Sequence, residues 1–200
     1  GNGGGIYNDG GTVVIKDSSI EGNNVYSDGA GIYNTNFGTV ILEDVLVTGN
    51  RASGEGYGGG IYNDGGIVTI KDSSITENFA SLIGGGIYND GGIVTIMDTS
   101  IKGNTATGPG GGIYNDEGSI TIRDSCISGN SAIDGGGISN VNSTLAMSGV
   151  WVSGNTAEFG GGISSYNSTV AIEDSSISGN NAAVGGGIHS VLYSNLIIEG

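Results

Sequence analysis

Apolar and polar positions alternate along the chain in segments of three to five residues, which are separated by Gly, Asn, Asp or Ser. In one such segment, Val68 and Ile70 are apolar and the intervening Thr69 is polar. A period of two is typical of β-strands, and no segment carries the longer apolar stripe that a helix needs. The pattern therefore predicts an all-β chain built from short strands.

The segments recur with a long period, which decides the predicted architecture. The phrase Gly-Gly-Gly-Ile-Tyr-Asn, or a close variant, begins at Gly3, Gly29, Gly58, Gly84, Gly110, Gly135, Gly160 and Gly185. One unit of about 25–29 residues cannot bury its apolar face alone, whereas stacked units would align Ile6, Ile15 and Ile20 with their counterparts in three inner columns. We predict a single domain over residues 1–200, a parallel β-helix (β-solenoid) of seven to eight coils with three short strands per coil.

The repeated phrase also carries a family resemblance. The pattern GGGI(Y)N…SIxGNxA resembles the parallel β-helix repeats of bacterial surface proteins, above all the GGA(I/V/L) and FxxN repeats of polymorphic outer-membrane proteins and related autotransporter passengers. The resemblance covers nearly the whole chain but departs at FxxN, where Ile20, Ile75, Ile127 or Ile177 replaces phenylalanine. It implies a right-handed solenoid at a cell surface or outside the cell, and it carries no catalytic residues.

Asparagine recurs at two positions of the unit. One run comprises Asn23, Asn50, Asn78, Asn104, Asn130, Asn155 and Asn180, and a second comprises Asn8, Asn34, Asn63, Asn89, Asn115 and Asn140. Stacked amides can hydrogen-bond from coil to coil and satisfy backbone groups of a turn. We therefore interpret the first run as a structural ladder.

Aspartate recurs as well, at Asp17, Asp44, Asp72, Asp98, Asp124 and Asp174, with Gly149 interrupting the run. Carboxylates are natural calcium ligands where several oxygens converge, which makes Asp72, Asp98 and Asp124 candidate calcium ligands. Aspartate also favours turns, because its side chain hydrogen-bonds nearby backbone. Both interpretations stay open here, and calcium is the only cofactor that the sequence suggests.

Tyrosine follows the inward-facing isoleucine in five units, at Tyr7, Tyr33, Tyr62, Tyr88 and Tyr114. Successive side chains of a strand point to opposite faces, so these tyrosines should point outward and be exposed to solvent. They could form a binding strip for a sugar polymer or a partner surface, or they could simply stack on one another across strands. Ser139, Ser164 and His189 take the same position in later units, and we assign no chemistry to His189.

Composition and charge exclude several classes of protein. The chain has 43 glycines but only one proline, which rules out collagen, and its single cysteine rules out an internal disulfide framework. A net charge of −15 makes a nucleic-acid partner unfavourable, because phosphate binding needs a basic face. No apolar run approaches the roughly 18 residues of a transmembrane helix, so we expect no membrane insertion by this segment.

Two functional hypotheses follow. The first is a non-enzymatic structural solenoid, extracellular or on the cell surface, that serves as an adhesin stalk or as a fibre or filament component with a carbohydrate or cell-surface partner. The alternative is a polysaccharide-binding or polysaccharide-degrading β-helix, such as a lyase or a hydrolase. The acidic residues recur in register and no unit departs from the repeat to build a cleft, so we assign no catalytic residue.

The ends of the chain bear on its partners. The chain enters the repeat at Gly3, stops at Gly200 in the Asp17 position of an eighth unit, and offers no capping element at either end. We interpret it as a processed chain or a fragment. It could continue a longer solenoid, or its ends could join other copies end to end into a filament.

Overall fold

Backbone hydrogen bonds between successive coils organise the chain into parallel ladders of strands, in a computed structural model that describes all of residues 1–200. The chain has no helix, and therefore none that could span a membrane. We call the four ladders A, B, C and D, in the order in which one coil meets them. The parallel strands stack as a β-solenoid of about seven turns, which confirms the predicted fold class.

Ladder A contains the Ile-Tyr-Asn segments. Its strands are Ile6–Asp9, Ile32–Thr35, Ile61–Asp64, Ile87–Asp90, Ile113–Asp116, Ile138–Val141, Ile163–Tyr166 and Ile188–Val191. Each strand pairs with the equivalent strand of the next coil, so that Ile87 lies opposite Ile113 and Tyr88 opposite Tyr114. The repeat in the sequence is therefore also the register of the sheet.

Ladders B and C follow ladder A and share their first two strands. These two strands, Thr12–Glu21 and Thr39–Thr48, run through both ladders. Ladder B continues with Ile67–Lys71, Ile93–Met97, Ser119–Arg123, Thr144–Ser148, Thr169–Glu173 and Asn195–Glu199. Ladder C continues with Ser74–Thr76, Ser100–Lys102, Cys126–Ser128, Trp151–Ser153 and Ser176–Ser178.

Ladder D is a fourth, shorter ladder that the three-strand prediction did not contain. Its strands are Asn24–Val25, Arg51–Ala52, Phe79–Ala80, Thr105–Ala106, Thr156–Phe159 and Asn181–Val184, and single bridges through Ser131 link the fourth strand to the fifth. The inward residues Ala52 and Ala80 are fully buried. Because a two-residue strand has no alternation of its own, periodicity could not reveal it.

One continuous core fills the interior of the coil. Twenty-six buried residues form a single cluster that includes Ile87 of ladder A, Ile96 of ladder B and Ile101 of ladder C. All three side chains are fully buried. The isoleucine columns predicted from the repeat thus form the walls of one apolar interior, as β-branched side chains do on pleated surfaces.

The first and third glycines of the phrase before each strand of ladder A are a steric requirement, whereas the middle position holds Ala30 in the second coil. Gly110 has a φ of +72°, and a Cβ placed there would lie 2.6 Å from the Cβ of Tyr114. At Gly112 the limit is the neighbouring coil, because a Cβ would lie 2.6 Å from the carbonyl oxygen of Gly137. The chain can therefore turn into ladder A at this spacing only if the first and third residues of the phrase lack side chains.

Two isoleucines of one strand test this register. Ile96→Ala removes a fully buried side chain and should destabilise the protein by about 2–5 kcal/mol. Ile93→Ala is the matched control, since Ile93 is 52% exposed and should cost less than about 1 kcal/mol. Chemical denaturation of both variants measures the difference, and equal midpoints would contradict the register.

Candidate functional site

The first asparagine run forms a continuous amide ladder at the corner between ladders C and D. Each side-chain Nδ2 donates to the Oδ1 of the equivalent asparagine one coil further on, at 2.9–3.1 Å. The same Oδ1 accepts the backbone N–H of the preceding asparagine, and the Nδ2 also reaches a backbone carbonyl, as in Asn104 to Ile75 at 2.9 Å. Both ends of each interior amide are therefore engaged inside the protein, where an unpaired amide would be costly.

The second asparagine run forms a parallel amide ladder at the end of ladder A. The Nδ2 of each residue from Asn8 to Asn115 donates to the next Oδ1, at 2.7–2.8 Å. In the middle coils the same Nδ2 also donates to a backbone carbonyl three residues on, as in Asn89 to Gly92 at 2.9 Å. This ladder ties the end of ladder A to the turn that leads into ladder B.

The aspartate column marks the vertex between ladders B and C. Asp72, Asp98 and Asp124 have φ values of +48°, +48° and +47°, in the left-handed region that favours glycine. Gly149, which interrupts the column in the sequence, has the same conformation with a φ of +65°. Aspartate tolerates this backbone better than most residues because its short side chain can bond locally, so the column has a conformational role.

The candidate calcium ligands are not brought together. No group of three or more His, Cys, Asp or Glu side chains is arranged to hold a metal ion. Asp72, Asp98 and Asp124 instead line one side of a shallow open groove that ends at Trp151. Their stacking places one carboxylate per coil along the axis, whereas calcium needs six to eight oxygens around one point.

A hydroxyl ladder beside the aspartates was missed in the sequence. Ser73, Thr99 and Ser125 each accept a backbone N–H from the preceding coil, at 3.0, 3.3 and 3.1 Å. Each hydroxyl donates in turn to the carbonyl two residues earlier, at the end of the preceding strand of ladder B, at 2.6–2.7 Å. The signal was present as the recurring Asp-Ser or Asp-Thr pair, which satisfies the backbone where the left-handed residue interrupts pairing.

The tyrosine column is mostly buried, so the prediction of an exposed strip is wrong for four of its five members. Tyr33, Tyr62, Tyr88 and Tyr114 are only 7–8% exposed, and Tyr7 alone is open, at 53%. The rings follow one another at centroid distances of 4.7–5.3 Å, in stacked and edge-to-face pairs. Of the two interpretations that the sequence allowed, stacking between coils is the one that the structure shows.

The covering residues explain why the outward-facing tyrosines are not exposed. Tyr57 and Ile83, each directly before a triple glycine, pack against the rings from the neighbouring turn. The hydroxyls of Tyr33 and Tyr62 donate to Asp64 and Asp90 of the next coil, at 3.2 and 3.0 Å. These rings therefore form a second apolar cluster outside the main core, closed by a turn whose path the repeat did not determine.

Burial changes the acidity of these phenols. It raises the pKa of Tyr33 and Tyr114 to about 12, with smaller contributions from Asp64 and Asp116 respectively. Burial and the Asp90 carboxylate also raise the pKa of Tyr62 and Tyr88. A phenolate would lose its hydration and face a like charge in this cluster, so the neutral ring is strongly preferred.

A cleft opens where the tyrosine column ends. Ser139 and Ser164 take the next two tyrosine positions, and both are themselves buried at the bottom of the cleft. The cleft has a volume of about 270 Å³, and its walls include Tyr114, Asp134, Tyr166 and His189. We call it the serine cleft. The sequence pointed to this cleft only as the end of the tyrosine run.

Two polar groups of the serine cleft are unusual. The Nδ1 atom of His189 is buried without a hydrogen-bond partner, and the His189 ring lies 5.5 Å from that of Phe159. Burial raises the pKa of the Asp134 carboxyl, Glu158 raises it further, and His189 opposes the shift. The cleft thus combines aromatic walls with hydrogen-bonding groups that the chain leaves unsatisfied or poorly solvated.

The comparisons with known proteins concern one part of the repeat. Residues 98–116 match the Chlamydia polymorphic membrane protein repeat. The matched segment begins at the left-handed Asp98, includes Asn104 of the amide ladder, and ends with ladder A at Asp116. No curated protein and no solved structure matches the chain.

The family match confirms the resemblance that the repeated phrase suggested. Because it covers 19 residues, fewer than one repeat unit, it concerns the repeat and not an active site. Together with the β-solenoid fold, it fits a bacterial surface repeat protein.

The aspartate column gives a second testable prediction. Asp98→Gly should change the free energy of unfolding by less than about 1 kcal/mol, because glycine adopts the left-handed backbone freely. Asp98→Val should cost roughly 1–2 kcal/mol or more, because a β-branched residue is strained there. Thermal unfolding with and without calcium checks both variants, and a large calcium-dependent rise that Asp98→Gly abolishes would support calcium binding by this column.

The tyrosine cluster gives a third prediction, on alkaline stability. A phenol whose pKa is raised on folding stabilises the protein fully below pH 10 and loses that contribution as the pH rises towards 12. We expect the free energy of unfolding to fall over this pH interval. We also expect the phenolate absorbance of the folded protein to appear at a higher pH than that of free tyrosine. Asp90→Asn removes one like charge near Tyr62 and Tyr88 and should lower the pH at which these phenols ionise. Complete phenol ionisation near pH 10 in the folded protein would contradict the burial.

Proposed function

We propose that the chain is a non-enzymatic structural β-solenoid, extracellular or on the bacterial cell surface, that acts as an adhesin stalk or as a fibre component. The observation that carries this proposal is the unbroken stacking of equivalent residues through every coil. Isoleucine meets isoleucine in register from Ile6 to Ile188, and asparagine meets asparagine from Asn8 to Asn140. Such a coil presents its surface side chains at fixed intervals along a rod.

The forces along the axis support a mechanical role. One apolar core of 26 residues and two amide ladders connect each coil to the next, and parallel backbone hydrogen bonds accompany them. Any pull along the axis would load these interactions in every coil. This distribution suits a stalk better than a scaffold for one reactive centre.

The axial partner in this proposal is another coil of the same kind. Strands Ile6–Asp9 and Ile188–Val191 of ladder A are each paired on one side only. A neighbouring coil, supplied by a longer chain or by a second copy, would continue the backbone pairing and cover the half-buried Ile6 and Ile15. The net charge of −15 would oppose lateral clumping of such rods.

A polysaccharide-binding solenoid is the second candidate function, and one observation favours it. The serine cleft combines aromatic walls with a carboxyl and hydroxyl groups, which is the type of site that holds a sugar ring. Binding there is compatible with the structural role. Polysaccharide degradation is a separate alternative, for which cleavage by the purified protein is the decisive measurement.

Electron microscopy and a cleavage assay test the proposed function. If copies assemble end to end, the purified chain should form fibres with an axial repeat of about 38 Å, the height of eight coils at strand spacing. Ile15→Lys would place a charge in the axial contact and should abolish fibres, whereas the outward Val14→Lys, at a position 53% exposed, should not. Antibodies raised against the chain should label intact cells.

Two outcomes would count against this proposal. Sustained release of reducing ends from polysaccharides by the pure protein would overturn its non-enzymatic character. Labelling confined to the cell interior would overturn its location. A monodisperse monomer would instead favour the longer-chain origin of the axial partner.

A further inference from the structure

The serine cleft is a gap in an otherwise continuous aromatic column. From Tyr33 to Tyr114 each tyrosine ring fills the groove between the turn before the triple glycine and the end of ladder A, and each ring is at least nine-tenths buried. Ser139 and Ser164 occupy the next two levels of the same column. The groove continues past them, so two adjoining ring-sized spaces are left empty.

The walls of the cleft change together with its floor. In the third and fourth coils the groove is covered by Tyr57 and Ile83, whereas the equivalent residues that line the cleft are Pro109 and Asp134. On the opposite side, Val141 and Tyr166 replace the aspartates that accept tyrosine hydroxyls in earlier coils. The side of the groove that carries aspartates in earlier coils is therefore apolar at the cleft, and one carboxyl group, that of Asp134, lies on the opposite side.

The polar groups of the cleft specify what kind of molecule would fill it. The hydroxyls of Ser139 and Ser164 and the Asp134 carboxyl line a partly buried site, in which a bound molecule must supply hydrogen-bond partners. A purely aromatic side chain would fill the space but leave these groups unpaired. A pyranose ring offers apolar C–H faces to Tyr114 and Tyr166 and hydroxyl groups to the polar residues.

Charge restricts the class further. Asp134 lies in the cleft with Glu158 nearby, and no Lys or Arg lines it. The chain as a whole carries a net charge of −15. An acidic sugar would meet repulsion without a partner cation, whereas a neutral sugar would not.

From this geometry we propose that the serine cleft binds a neutral saccharide, with one or two pyranose rings occupying the spaces of the missing tyrosines. Ser139, Ser164 and Asp134 hydrogen-bond the sugar, and Tyr114 and Tyr166 pack against its ring faces. The inference deepens the proposed function and rests on it for the biological setting, because it names a ligand class for one site on the rod.

Nuclear magnetic resonance titration of the isotopically labelled 200-residue chain tests this proposal. Lactose, cellobiose and maltose are the neutral probes, and glucuronic acid and N-acetyl-tyrosinamide are the acidic and aromatic comparators. At least one neutral disaccharide should give saturable shifts at the amides of Ser139, Ser164 and His189, with a dissociation constant of about 1 mM or lower. Glucuronic acid should bind at least tenfold more weakly.

The double variant Ser139→Tyr/Ser164→Tyr provides the sharpest control. It restores the tyrosine column, so it should stay folded and melt at the same temperature or higher, while sugar binding falls at least tenfold. Ser139→Ala/Ser164→Ala keeps the space but removes the hydroxyls, and it should weaken binding by a smaller factor. Trp151→Ala, on ladder C, should bind as the unmodified chain does.

Three results would overturn the inference. They are an absence of saturable shifts with every neutral probe at about 20 mM, unchanged binding by the folded double-tyrosine variant, and tighter binding of N-acetyl-tyrosinamide than of any sugar. If the double-tyrosine variant does not fold, the alanine pair decides, and unchanged affinity there counts against the proposal. If antibodies label the cell surface but the chain binds no sugar, only this inference is wrong. If the chain degrades polysaccharide, the proposed function is wrong.

Discussion

In-register pairing between coils is the constraint on which the rest of this structure depends. Each ladder joins a residue to its equivalent in the next coil, as in the pair Ile87 and Ile113, so every side chain must tolerate a copy of itself at strand spacing, about 4.8 Å away. Isoleucine satisfies this requirement by packing, and glycine satisfies it by leaving room for the neighbouring carbonyl. The small number of residue types used in the repeat follows from this single requirement.

Polar groups meet the same requirement in different ways. An amide carries both a hydrogen-bond donor and an acceptor, so Asn78 can donate to Asn104. The stacked amides can therefore be buried without placing a charge in the interior. Two carboxylates cannot do so, and they repel by about 1 kcal/mol at 4 Å even in water. The aspartates accordingly lie at exposed vertices or beside tyrosine hydroxyls, as Asp98 and Asp90 illustrate.

The tyrosine column shows how a feature of the repeat becomes a local site. Where the tyrosine ring is present, it is buried beneath the adjoining turn and cannot contact a ligand as an exposed surface. Where serine replaces it, the same groove becomes a cleft lined by hydroxyl and carboxyl groups. This cleft is therefore produced by an interruption of the pattern and not by the pattern itself.

The sequence alone determined the fold class, the register and the inner isoleucine columns, because each depends on local alternation and on a period that is visible in the chain. It also pointed to both amide runs, since an asparagine repeated in every unit must meet its own copy. Only the tertiary structure decided the burial of Tyr88, the left-handed backbone shared by Asp98 and Gly149, and the serine cleft. Each of these depends on the path of a turn across a neighbouring strand, and alternation along one strand carries no information about what another segment covers.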